Sequence, residues 1–500
     1  MHAPAEPPAP DSADVLDAAD AGDRAIAGSA WRIASYVAGS ALAIGSTAVV
    51  SRHLGSSEFG GYATVLSLSA VALLVTDFGL AALGVREYVT RRGAERDHAM
   101  RVLIGLRMSL MCLGTLGMLV FATVAGFSRE LWLGTLLAGI GLITQAIPAT
   151  YAVPLHATLR LGWVGGLDLV RQATQAVALV VLSAVGAGAA LLLGAAIPAG
   201  LAALVVGAWV ARGLAPLLPS LDWTEMRRLA RLAVSYAVAT SIGAIYAYAG
   251  QVVVDQVVSK DESGQFALSF RVFSVVIAVA IIAVGSAYPI LARAAGSDQT
   301  RFAYVGSRLY EALLLLGVAV GLSLGLAAPA VVEVLGGGQY ADAVDVLRLH
   351  AVAVVGSFTV AVGSFLLLSQ QWFRRLLVVN VGALTASLVL TGVLAAEWGG
   401  EGGALAMAIV ELGLATTFLV VLRRGGQPVG VRWRRAAGIA AAAVLVLIPA
   451  VAIERMADGA VVAALLGILG PVGFLALATA FRAVPDEVVQ LVRARIAARG

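Results

Sequence analysis

The sequence predicts an all-α membrane protein with fourteen transmembrane helices and both termini in the cytoplasm. Three observations carry that expectation. Of 500 residues, 60% are hydrophobic and only 13% are charged, with a mean hydropathy of +0.91, whereas soluble domains carry about 25% charged residues. This composition excludes a soluble enzyme, a disordered protein and a nucleic-acid binder. Second, runs of about 20 mostly apolar residues, the length that crosses hydrocarbon, recur at 29–51, 62–83, 101–125, 131–153, 165–185, 189–211, 232–254, 266–290, 307–330, 347–368, 376–396, 402–422, 436–454 and 459–481. Third, with the N-terminus inside, 25 Lys and Arg fall on the cytoplasmic side against five outside (Arg52, Arg129, Lys260, Arg348, Arg455). A missed or invented span would reverse every later loop and spoil this positive-inside pattern.

In chain order, residues 1–28 read as a disordered cytoplasmic tail. Residues 1–23 hold six acids and no Lys or Arg, lack apolar periodicity, and lack the basic and apolar regions of a secretory signal, so no cleavage is expected. Helices 1–6 follow in 29–211. The linker 212–231 contains LDWTEMRRLARLA, where Asp222 and Glu225 have capping-box spacing and Trp223, Met226 and Leu229 form one apolar face. It is expected to be an interfacial helix that sets the angle of the next span. Helices 7–12 occupy 232–422 and helices 13–14 lie within 423–481. A basic amphipathic helix, PDEVVQLVRARIAARG, is expected in the cytoplasmic tail 482–500.

Cys112 is the only cysteine, so no intramolecular disulfide or cysteine cluster can form. The histidines show no HxxxH or HExxH spacing and there is no Walker A lysine, so no metal and no built-in ATPase are expected.

EFGGYA (Glu58 to Ala63) and ESGQFA (Glu262 to Ala267) are separated by a constant 204 residues, each in a turn after an odd-numbered span. This suggests two six-span halves of the same topology, with the last two spans appended. Gly60 and Gly264 suit tight turns, and Tyr62 and Phe266 suit the headgroup belt.

SRHLGSSEFGGYA and TDFGLAALGVREYVTR resemble the opening of bacterial polysaccharide flippases, members of the multidrug/oligosaccharidyl-lipid/polysaccharide exporter superfamily. SGQFALSFRV, YPILARAAG and LGGGQYADAVDVLRLHAV resemble the start of that family's second half, and GGEGGALAMAIVELG resembles its Gly-rich turn before the twelfth span. The resemblance covers 29–422. One departure is RLAVSYAVATSIGA in the seventh span, which lacks the proline often found there. The resemblance implies two six-helix lobes around a central cavity, open alternately to either side, and a cargo of sugars joined through phosphates to a polyprenol.

A charge in the middle of a span costs at least about 2.5–3.5 kcal/mol to insert, so it usually faces a cavity or a partner. Arg32, Arg271 and Arg107 are candidate cavity cations for a phosphate-bearing lipid, since guanidinium offers a fork of donors that stays charged. The alternative is that they snorkel to the headgroups. Asp168 lies one turn before Arg171 and suits a structural pair. Asp77, Asp255 and Glu411 are candidate cavity or coupling acids, able to carry a proton or hold a sodium ion, while Asp77 also suits a structural role beside Arg86, Arg32 or a helix end.

The expected function is transport without a catalytic residue. A polyprenol-(di)phosphate-linked oligosaccharide would be flipped to the outer leaflet of the plasma membrane, in company with membrane lipids and the polymerase or glycosyltransferases of its pathway. A multidrug cation antiporter of the same superfamily is the alternative, but would call for cavity carboxylates. A membrane-embedded polymerase or ligase is less favoured because no outside loop has room for an active site. No nucleic-acid partner is expected.

Overall fold

The structure is a computed structural model that describes residues 21–484 other than 78, 159, 215, 217 and 458; side chains at 21–33, 82, 161, 234–242, 244, 247, 289 and 297 are also outside the described set. Among the described residues there is no strand. Among these residues, eleven helices are long and apolar enough to cross a membrane. The expected helix in 482–500 falls almost wholly outside the described residues.

The chain divides into two compact units, one of residues up to 49 with 68–238, the other of 50–67 with 239–500. In the first, α1 (Ala21–Asp77) contributes both its ends, followed by α2 (Leu80–Thr90), α3 (Gly93–Val124), α4 (Arg129–Ala157), α5 (Leu161–Ala184), α6 (Ala189–Leu193), α7 (Ala196–Val210) and the start of α8 (Trp223–Val257). Helix α1 already begins at Ala21, inside the segment expected as a tail. The other unit contains the rest of α8, then α9 (Lys260–Ser297), α10 (Gln299–Leu326), α11 (Ala328–Leu335), α12 (Ala343–Ser369), α13 (Phe373–Arg424), α14 (Trp433–Met456) and α15 (Ala460–Ala480). The last two helices therefore belong to a unit rather than standing apart as a separate appendage.

Two of the long helices are each two limbs joined at a sharp break. Gly55 in α1 (φ 74°, ψ 172°) and Trp398–Gly399 in α13 (Gly399 φ 58°, ψ −143°) leave helical geometry, and past the second break the chain folds back, so that Ser387 and Glu411 both reach Tyr246. Only glycine adopts such positive φ values without strain. The expected turns after the first and eleventh spans are thus breaks of one or two residues.

Lipid-facing surfaces stay apolar. On α3, Leu113, Leu116, Val120 and Val124 form an exposed stripe at helical spacing. Between helices, small residues permit close approach, the usual packing device where lipid removes the hydrophobic drive. In the first unit α4 is the hub: Gly139 meets Thr115 of α3, Gly134 meets Ala190 and Leu193 of α6, and Gly200 of α7 meets Thr144. In the other unit α12 is the hub, with Gly317 of α10 against Phe358, Gly356 against Glu411 of α13 and Gly363 against Phe418. Helices α14 and α15 are fastened to α10 by a cluster of Leu315, Ile439, Phe474 and Ala478, and by a hydrogen bond from Ser323 Oγ to the Gly467 carbonyl (2.7 Å).

The linker helix departs from expectation. It is not a separate interfacial piece but the first turns of α8. Met226 and Leu229 are buried against Leu80, Tyr88, Met100 and Leu103, so the apolar face packs on α2 and α3 rather than on lipid, while Trp223 stays exposed.

The repeat also changes meaning. Gly60 and Gly264 sit inside helices, not in turns, and face each other: a Cβ on Gly60 would lie 2.9 Å from the Gly264 nitrogen, and one on Gly264 only 1.9 Å from the Ser56 carbonyl oxygen. Ser56 Oγ donates to Asp261 Oδ1 at 2.6 Å beside this crossing. Tyr62 and Phe266 are buried (5% and 1% exposed) instead of sitting in a headgroup belt; Tyr62 stacks on Phe59 and Phe266 on Phe270.

Replacing Gly264 by Leu should destabilise the protein by about 1–3 kcal/mol, the usual cost of overpacking. Gly413→Ala, where a Cβ meets nothing within 4 Å, should be neutral or stabilising. Thermal unfolding of the full-length protein in detergent measures both; an unchanged midpoint for Gly264→Leu would contradict the close crossing.

Candidate functional site

The charges inside spans are the groups whose surroundings decide their role. Arg107, on α3, is 1% exposed and lies 2.8 Å from Asp77 at the end of α1, with Thr150 of α4 at 3.4 Å. Asp77, 37% exposed, thus meets an arginine 30 residues away, not Arg86. Arg171 lies 2.7 Å from Asp168, which also accepts from the Gln172 side-chain amide at 2.8 Å. Arg32 lies on α1, but its side chain is outside the described residues.

Arg271 differs. It lies on α9, eleven residues past Lys260 and so about 16 Å along the helix axis. It is half-buried, and among the described residues no carboxylate lies within ion-pair distance of it. A guanidinium placed this way, with its donors uncommitted to an acid, can take an oxyanion.

The acids divide too. Asp255, at the end of α8 and 3% exposed, accepts from Lys260 Nζ (3.1 Å) and Ser263 Oγ (2.8 Å), which ties α8 to the start of α9. Ser259 and Glu262 form a reciprocal capping box at the same junction, legible in the sequence as S-x-x-E but not among the expected features. Glu411 lies midway along the second limb of α13, 2% exposed; Tyr246 donates to its Oε1 at 2.6 Å, while Oε2 lacks a hydrogen-bond partner among the described residues. A buried carboxyl with one oxygen uncommitted can hold a proton or face a cation.

A second cluster lies at the polar ends of α2 and α8. Glu87 accepts from Arg91 (2.9 Å) and Arg228 (2.7 Å), and Glu225 accepts from the same two arginines (both 2.8 Å). Arg228, then Arg91, pulls the Glu225 carboxyl down to about 2. Asp222 accepts from the N–H groups of Thr224 and Glu225, which holds its carboxyl below its ordinary range, together with His98 at 3.1 Å. Half of the expected capping box forms; the Glu225 side chain turns to the arginines. Among the described residues, no group of three His, Cys, Asp or Glu is placed to hold a metal.

A family model described as polysaccharide biosynthesis protein matches residues 49–345. The chain belongs to that family. No curated protein matches it by sequence. Among solved structures, the lipid II flippase MurJ in an inward closed conformation superposes with a TM-score of 0.74 at 11% identity, covering 90% of this chain and 98% of that one. An inward-facing multidrug resistance MATE transporter gives 0.60 at 13% identity (77% and 94% covered), and a mutant of the Vibrio cholerae MATE transporter VcmN gives 0.52 at 12% (83% and 98%). At such identities the likeness is one of fold. This family member is a multi-pass membrane protein with a MurJ-like fold.

The Asp77–Arg107 pair yields an asymmetric prediction. Asp77→Leu leaves a cation buried without its partner and should cost about 3–5 kcal/mol. Arg107→Met leaves only a half-exposed carboxylate and should cost clearly less. Unfolding midpoints of the two variants test this; equal losses would contradict the burial asymmetry.

Proposed function

We propose that this transporter flips a polyprenol-(di)phosphate-linked oligosaccharide from the inner to the outer leaflet of the plasma membrane, for export of a cell-surface polysaccharide. The observation that carries the reading is Arg271: Arg107 and Arg171 each have a carboxylate, whereas Arg271 has none among the described residues. An anion passing through the membrane must exchange water for fixed donors, and an uncommitted guanidinium supplies them. Membership of a polysaccharide-biosynthesis family and the fold shared with a lipid II flippase support the same cargo class.

In this reading both limbs of the broken helices α1 and α13, together with α8, bring the spans to fourteen, with both termini cytoplasmic. Alternating access proceeds by rocking of two six-helix lobes, and the Gly60–Gly264 crossing, with its Ser56–Asp261 bond, parts when the protein opens outward. Arg107 and Asp77 hold each other. Glu411 is the coupling acid, for a proton or a sodium ion. The pathway's polymerase or glycosyltransferases are its partners.

A multidrug cation antiporter is the second reading, favoured by the uncommitted Glu411 oxygen and by the fold shared with MATE transporters. Depleting the protein and measuring the leaflet of polyprenol-linked glycans separates the two. Accumulation of one glycan on the cytoplasmic leaflet is expected. An unchanged lipid pool with new drug sensitivity would replace the flippase reading by the antiporter.

A further inference from the structure

Segment 425–432, which joins α13 to α14, folds over the first turns of α10. Glu311, 1% exposed on α10, accepts from Arg308 (2.8 Å), from Arg435 and from the backbone N–H of Arg432 (3.4 Å). The Gly430 N–H donates to Ser307 Oγ at 3.2 Å. Arg423 Nε donates to the Val429 carbonyl (3.2 Å), and its guanidinium occupies the space a Gly430 side chain would need. Together these contacts enclose a pocket of about 360 Å³ whose lining includes Tyr304, Ser307, Arg308, Glu311, Arg423 and Arg432.

The charge of this pocket is one-sided. Three arginines line it against a single acid, and buried Arg435 also takes that acid. Arg423 and Arg432 are exposed, and no carboxylate among the described residues lies within ion-pair distance of either. Two aromatic residues mark the depth. Tyr304 (53% exposed) carries Arg308 over its ring at 5.2 Å, and Trp433 (75% exposed) carries Arg434 at 5.8 Å. Exposed Tyr and Trp at the ends of membrane helices settle at headgroup level. Farther along α14, Val444, Leu445 and Ile448 present a bare apolar surface, so the pocket opens where a lipid headgroup lies above its own chains.

We propose that this pocket binds the phosphate of an anionic phospholipid headgroup, gripping it with Arg423 and Arg432 while Arg308 and Glu311 hold the wall. Basic pockets between membrane helices select anionic headgroups in this way. The site is separate from Arg271 and stands whatever cargo the transporter carries.

Native mass spectrometry of the full-length protein in detergent tests this, with phosphatidylglycerol or phosphatidylcholine added. Phosphatidylglycerol should be retained preferentially. Arg423→Gln/Arg432→Gln should weaken its retention about tenfold or more, with Arg423→Lys/Arg432→Lys and the off-pocket Arg424→Gln keeping most of it. An unchanged unfolding midpoint shows that the glutamine pair still folds. Equal retention of the two lipids, an unaffected double variant, or an equal loss in Arg424→Gln would overturn the proposal in favour of a diffuse field. Full displacement of the lipid by inorganic phosphate, itself retained in its place, would overturn the lipid source and leave a soluble phosphate site.

Discussion

An ion without a partner in hydrocarbon is expensive, and this constraint organises the polar interior of the molecule. Arg107 is held by Asp77, Asp255 by Lys260 and Ser263, Glu311 by Arg308 and Arg435, and Arg348 of α12 by Glu454 of α14. Each of these contacts also joins two helices or pins a turn, so the cost of burying charge is offset by fixed geometry. Among the described residues, Arg271 has no such carboxylate. That contrast, rather than the mere presence of arginines in spans, is what points to an anionic cargo.

The second organising feature is the absence of side chain where helices meet. Because lipid tails are as apolar as leucine, helices gain by close approach rather than by hiding from solvent. Gly139, Gly200, Gly317, Gly356 and Gly363 all sit at such contacts. The repeat-related Gly60 and Gly264 extend this to a crossing in which each copy of the motif packs on the other. The cluster that fastens α14 and α15 to α10 is built instead from large apolar side chains, Leu315, Ile439 and Phe474.

Much of the fold was legible because an apolar run of sufficient length has few alternatives, and the membrane character and helical class followed from it, while the family came from the resemblance of short motifs. The connections were less legible. The turns expected after the first and eleventh spans shrink to one or two residues, at Gly55 and at Trp398–Gly399, a tightness that apolar run lengths do not reveal. The amphipathic face of Met226 and Leu229 was visible, but periodicity shows only that a face is apolar, not whether lipid or protein covers it. Charge pairs followed the same logic. Asp168–Arg171, three residues apart on one helix, can be read from spacing; Asp77–Arg107, Tyr246–Glu411 and Glu311–Arg435 join helices distant in sequence and leave no local trace.

The central claim is that Arg271 is uncommitted because its partner is the anionic cargo. The most direct measurement is the affinity of purified protein for a polyprenyl diphosphate, compared between the native chain and Arg271→Gln. The account predicts that binding weakens by about tenfold or more, the scale of a lost charge-assisted contact, with an unchanged unfolding midpoint. Equal affinity in the two proteins would contradict it.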